Sequence, residues 1–140
     1  MNFEALEKVN QTLKSSIEEL DDLIAATEQK IYDLKLGVPA DVKLEKGFRL
    51  AFKRFKKEWC FVVIKSDKKL NYKHSSFKPE NLDNQTPLLE SSLHQKKLAV
   101  DKFQILIDIL VTEAEKELVE IKEALACVQG ILRDFDQAGV

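Results

Sequence analysis

Apolar residues recur in alternating steps of three and four through both ends of this chain. That spacing is the signature of helices with one apolar seam. In the first stretch Phe3, Asn10, Ile17, Ile24 and Ile31 fall at one seam position, and Leu6, Leu13, Leu20, Thr27 and Leu34 at the other. Isoleucine and leucine at alternate positions with a single asparagine favour a two-stranded coil of fixed register. Val9 and Leu23 widen the stripe beyond one seam. Asn2 is a suitable N-cap, with Glu4 and Glu7 in the positive first turn. Leu36-Gly37 followed by Pro39 reads as the stop.

A second stripe repeats at Leu93, Val100, Ile107, Ala114, Ile121, Val128 and Phe135. Its companion is Phe103 and Leu110, and then slides by one to Leu118, Leu125 and Leu132. The slide turns the apolar face around the helix. Thr86-Pro87 is a suitable opening, and the pattern runs to about Phe135 with loosening expected at Gly130. From Leu98 to Val111 the helix is apolar nearly all round, which predicts burial on most sides. At ~1.5 Å per residue the helices span roughly 50 and 70 Å. The expectation is that they fold antiparallel, with Phe3 near Phe135 and the early part of the second helix beside whatever lies between.

What lies between is a β segment. Phe48 to Lys53 alternates apolar and polar, as a half-buried strand does. Trp59 to Ile64 is apolar on both faces, which suits a central strand, and the turn falls near Phe55-Lys56-Lys57-Glu58. Val42-Lys43-Leu44 is a candidate third strand and Leu70-Asn71-Tyr72 a candidate fourth. Residues 65–86 are polar and read as a long connection. The fold class expected is α+β: two long antiparallel amphipathic helices flanking a small antiparallel β meander or hairpin. The chain of 140 residues is one domain, divided as helix 1–36, basic β segment 41–73, polar connection 74–86 and long helix 87–136. With only four glycines and three prolines, long elements and few turns are expected.

The formal net charge of −2 hides a polarity along the chain. Residues 41–80 hold twelve Lys/Arg against five Asp/Glu, so a basic centre sits between acidic helices. Arg49, Lys53, Arg54, Lys56 and Lys57 cluster on or beside the hairpin with Phe48, Phe52, Phe55, Trp59 and Phe61. Basic groups neutralise phosphates and open rings stack bases, so nucleic-acid binding is one reading. Alternation argues against it by turning Phe48, Leu50 and Phe52 toward the core. It leaves Arg49 and Lys53 on the other face, which suits an acidic protein or a phosphorylated ligand equally well.

Chemistry is thinly represented. His74 and His94 have no evident catalytic partner, and Cys60 and Cys127 form neither a CxxC pair nor a disulfide framework. Runs such as Glu18-Glu19 with Asp21-Asp22 read as solvated helix faces. No glycine-rich phosphate loop or calcium loop occurs, and no cofactor or metal is expected. A reducing cytoplasm is the expected compartment, since no leader or membrane span is visible in the sequence. The function expected is a non-enzymatic assembly or adaptor protein, a homo-oligomer and by preference a dimer. Its seam would use Val9, Asn10, Ile17, Leu23, Ile24, Ile31, Leu106 and Ile109, with the basic β face offered to an acidic partner. The alternative is a nucleic-acid binder using that same face.

Overall fold

The computed structural model describes residues 2–69 and 83–139. Helix α1 spans Phe3–Asp33 and helix α2 spans Leu93–Ala138. Between them in sequence lie strands β1 (Ala40–Glu45), β2 (Phe48–Phe55), β3 (Glu58–Ile64) and β4 (Gln85–Pro87), then a 3₁₀ turn at Leu88–Glu90. The strands form one antiparallel meander in the order β1-β2-β3-β4. The α+β class and the two long helices flanking a small antiparallel sheet are therefore as the sequence implies.

Local signals account for most boundaries. The Asn2 side chain accepts a hydrogen bond from the Ala5 amide at 3.3 Å, satisfying one orphan donor of the first turn. α1 ends at Asp33, a few residues before the expected Gly37 stop, because Lys35 already takes φ +50°. The start of α2 is also corrected. Thr86-Pro87 belongs to β4, and the helix opens at Ser92, whose hydroxyl accepts from the Gln95 amide at 3.2 Å. Serine followed three residues later by glutamine is the capping signal that marks this start. Gly130 brings no break, and the helix runs through it to Ala138. The expected strand at 70–72 lies outside the described residues, as does His74; the fourth described strand is Gln85–Pro87.

Both helices lie on one face of the sheet, α1 against β3 and α2 chiefly against β1. Leu44, Leu50, Phe52, Phe61 and Val63 from the sheet meet Ile24 and Ile31 of α1, Leu88, and Ala99, Leu106 and Leu110 of α2. Phe61 stacks on Phe103 of α2 at 4.7 Å between centroids and meets Phe52 edge-on at 5.6 Å. The opposite sheet face carries a smaller buried cluster of Ala51, Val62 and Ile64, flanked by Phe55 and Cys60.

The helix directions correct the expectation of antiparallel pairing. His94 reaches Glu45 at 3.1 Å and Lys96 reaches Asp21 at 2.8 Å, which places the start of α2 at the far end of β1 and beside the middle of α1. Further on, Ile31, Leu34 and Leu36 share a groove with Ile107, Leu110 and Leu118. Contacts thus advance in the same order along both helices, so they run in the same direction. The cause is strand length. Residues 34–39 reverse α1 into β1, and three further alternations follow. β4 is only three residues long. The chain therefore stays at the end where β3 finishes and crosses back to β1 through the buried Leu88 before α2 begins.

The lengths then leave overhangs. The longest strand, eight residues, spans about 26 Å. The helices of 31 and 46 residues span about 46 and 69 Å. α1 is exposed throughout residues 3–16, and α2 throughout residues 115–138 except at Gly130. Because the helices are parallel, these overhangs project beyond opposite ends of the sheet. Phe3 and Phe135 do not meet within the chain. The stretch 98–111 also differs from expectation: it buries one face through Ala99, Leu106 and Leu110, while Val100, Ile105 and Val111 on its flanks are exposed.

Two variants test this account. Leu106→Ala empties a fully buried site between α2 and the sheet and should cost about 2–5 kcal/mol in denaturant unfolding. The β2–β3 turn places Lys56 and Lys57 at φ +48° and +76°, left-handed values that lysine adopts at a cost. Lys56→Asn/Lys57→Gly should raise stability by about 1 kcal/mol in the same assay.

Candidate assembly surface

The sheet positions two different surfaces, one basic and one apolar. The basic one is smaller than the sequence implies. β2 and β3 alternate so that Arg49, Ala51 and Lys53 share a face, as expected, but that face is not open. Arg49 pairs with Asp41, whose side chain is 1% exposed. Lys53 is buried, and its ammonium donates to the Gln85 side chain at 2.8 Å. Burial also pushes the Lys53 pKa below its ordinary value. The expectation that Arg49 and Lys53 reach solvent is corrected on this point, because the strands pack apolar side chains on both faces. Arg54, Lys56 and Lys57 are exposed at the hairpin end. The aromatic rings near them are engaged. Phe52 and Phe61 are buried, Phe48 and Trp59 pack on the main core, and Phe55 packs on the smaller cluster. None of the five aromatic rings is left fully exposed for bases to stack on.

At the β3 edge the short β4 leaves the Phe61 amide without a strand partner. Glu28 of α1 supplies one, its carboxylate accepting from that amide at 2.9 Å. Burial pushes the Glu28 pKa up, against the lowering effect of the hydrogen bond, with Glu58 adding repulsion. Burial likewise pushes the neighbouring Cys60 thiol up to about 11, so it stays protonated and unreactive at neutral pH. This junction fixes α1 to the sheet. Among the described residues no group of three or more His, Cys, Asp or Glu is placed to hold a metal ion.

The apolar surface lies on the helices. The sequence-derived seam divides in two. Ile24, Ile31 and Leu106 are buried in the protomer core, and Ile109 packs against it half-buried. Ile17 is half-buried, while Val9, Asn10 and Leu23 are exposed. On α2 the stripe continues past the sheet as Leu118, Ile121, Leu125, Val128, Leu132 and Phe135, spaced 3-4-3-4-3 and 48–73% exposed. These six are legible in the sequence as a repeat, and the expected antiparallel pairing sets them against α1 of the same chain. Only the length of the sheet reveals that, among the described residues, they extend past their support. The stripe leads out of the groove of about 310 Å³ lined by Ile31, Leu34, Leu36, Leu110 and Leu118. On α1 the exposed counterparts are Phe3, Leu6, Val9 and Leu13. Among the described residues no helix is long and apolar enough to cross a membrane.

The Glu28 junction makes a pH prediction. A carboxyl whose folded pKa lies above its unfolded value holds its proton more tightly when folded. Its contribution is therefore favourable at low pH and is lost as pH rises from about 4.5 through the folded pKa. Glu28→Gln keeps an oxygen acceptor for the Phe61 amide and removes the ionisation. Unfolding measured from pH 4 to 8 should show a smaller decline for the variant than for the parent protein.

No protein-family model matches this chain, and neither a curated protein nor a solved structure is significantly similar to it.

Proposed function

We propose that this chain is a non-enzymatic assembly or adaptor protein that self-associates through its long helices as a homodimer. It offers the exposed hairpin end, Arg54, Lys56 and Lys57, to an acidic partner. The observation that carries the reading is the α2 stripe from Leu118 to Phe135, at coiled-coil spacing and open to solvent. A lone helix in water draws little stability from its own hydrogen bonds, and most helices depend on a packed apolar face. A contiguous apolar stripe of this length on a protomer marks an interaction site. The acidic character of both helices and the basic character of the hairpin keep the two surfaces distinct, so one can serve association while the other meets a partner.

Light scattering coupled to size exclusion tests this reading. The protein should elute at twice its one-chain mass at micromolar concentration, and Ile121→Lys/Leu125→Lys should return it to one chain. Both positions are about half exposed in the protomer, so the variant should keep the sheet core and its near-ultraviolet signal. A parent protein that remains a single chain at micromolar concentration ends the proposal.

A further inference from the structure

The two overhangs present the same step pattern in opposite order. Reading α1 forward from Phe3 and α2 backward from Phe135 brings Phe3 to Phe135, Leu6 to Leu132 and Leu13 to Leu125. Each match sets one seam position against the other, which is the layer geometry of two antiparallel helices. The residues that widen each stripe match as well. Val9 on α1 and Ile131 on α2 flank the same layers and are 62% and 61% exposed. Within one chain these surfaces cannot meet, because the helices run in the same direction and overhang opposite ends of the sheet. A two-fold axis perpendicular to the helices removes the obstacle. It reverses the second copy, so the partner's α2 overhang projects from the end where α1 protrudes and runs against it.

We propose that each stripe is covered by a second copy, with α1 of one protomer pairing antiparallel with α2 of its partner, and the reverse pairing made at the other end. This rests on the self-association reading and adds which helices mate. Area decides between this pairing and its competitors. Eleven large apolar side chains stand exposed on the two overhang stripes, four on α1 and seven on α2. At about half exposure each brings on the order of 80 Å². Reciprocal pairing therefore buries roughly 900 Å² of apolar surface per protomer, against about 800 Å² in a stable interface. Pairing α2 with α2 uses seven side chains and buries roughly 560 Å², leaving the α1 stripe open. Pairing α1 with α1 buries less still. Reciprocal pairing also closes on two copies, because the two-fold axis that reverses the second chain satisfies both stripes at once.

The test uses single cysteines in the full chain with Cys60→Ser and Cys127→Ser. Leu6→Cys and Leu132→Cys proteins are prepared separately, checked for the parent circular dichroism spectrum, mixed, equilibrated and treated with a short bis-maleimide. The mixture should yield a linked dimer at several times the level of either protein alone. Linkage by Leu132→Cys alone, or by Leu6→Cys alone, overturns the pairing while leaving self-association standing. Absence of linkage in a mixture that light scattering reports as dimeric overturns it too. A mixture that scatters as single chains removes the self-association reading itself.

Discussion

The structure is governed by a mismatch of lengths. A four-stranded sheet whose longest strand covers about 26 Å supports helices of about 46 and 69 Å. No choice of packing angle lets such a sheet cover both. The chain continues each apolar stripe with undiminished regularity past the edge of its support. Two physically distinct regimes therefore lie on one helix. In the supported part, Leu106 and Leu110 are sealed against the sheet; in the overhang, Leu125 and Leu132 are open although they obey the same spacing.

The sheet itself is more self-sufficient than its charge suggests. Five lysines and arginines on or near β2 look in sequence like a binding face. Two of that group are drawn into the fold: Arg49 by Asp41 across the β1–β2 pair and Lys53 by Gln85. A buried cation needs a partner, and such pairing offsets the loss of hydration more than it adds net stability. The other three, Arg54, Lys56 and Lys57, are exposed at the β2–β3 hairpin end, at the same end of the sheet from which α2 projects. Glu28 makes the complementary repair on the other edge, closing the amide that a three-residue β4 cannot reach. Short β4 thus has two consequences: it brings a carboxylate from α1 into the sheet, and it sets the direction in which α2 departs.

That direction connects the fold to the proposed assembly. Parallel helices on one sheet face cannot pair along their free ends, since those ends point apart. A second copy turned about a two-fold axis offers each free end a helix of opposite direction. The stripes on α1 and α2 then read as halves of one seam shared between chains.

The sequence by itself determined the elements. Apolar spacing of 3.6 gave two helices, period two gave β2, a short run apolar on both faces gave β3, and Asn2 set the start of α1. It also marked the repeat from Leu118 to Phe135, since periodicity is a local property of the chain. Tertiary structure alone decided where that repeat stops being core. Burial depends on what lies across from a residue, and spacing carries no information on the reach of the partner. The same limit explains Lys53, whose alternation fixed its face and not its exposure, and the helix directions. Those followed from a three-residue strand and a buried Leu88, two features too short to carry a periodic signal.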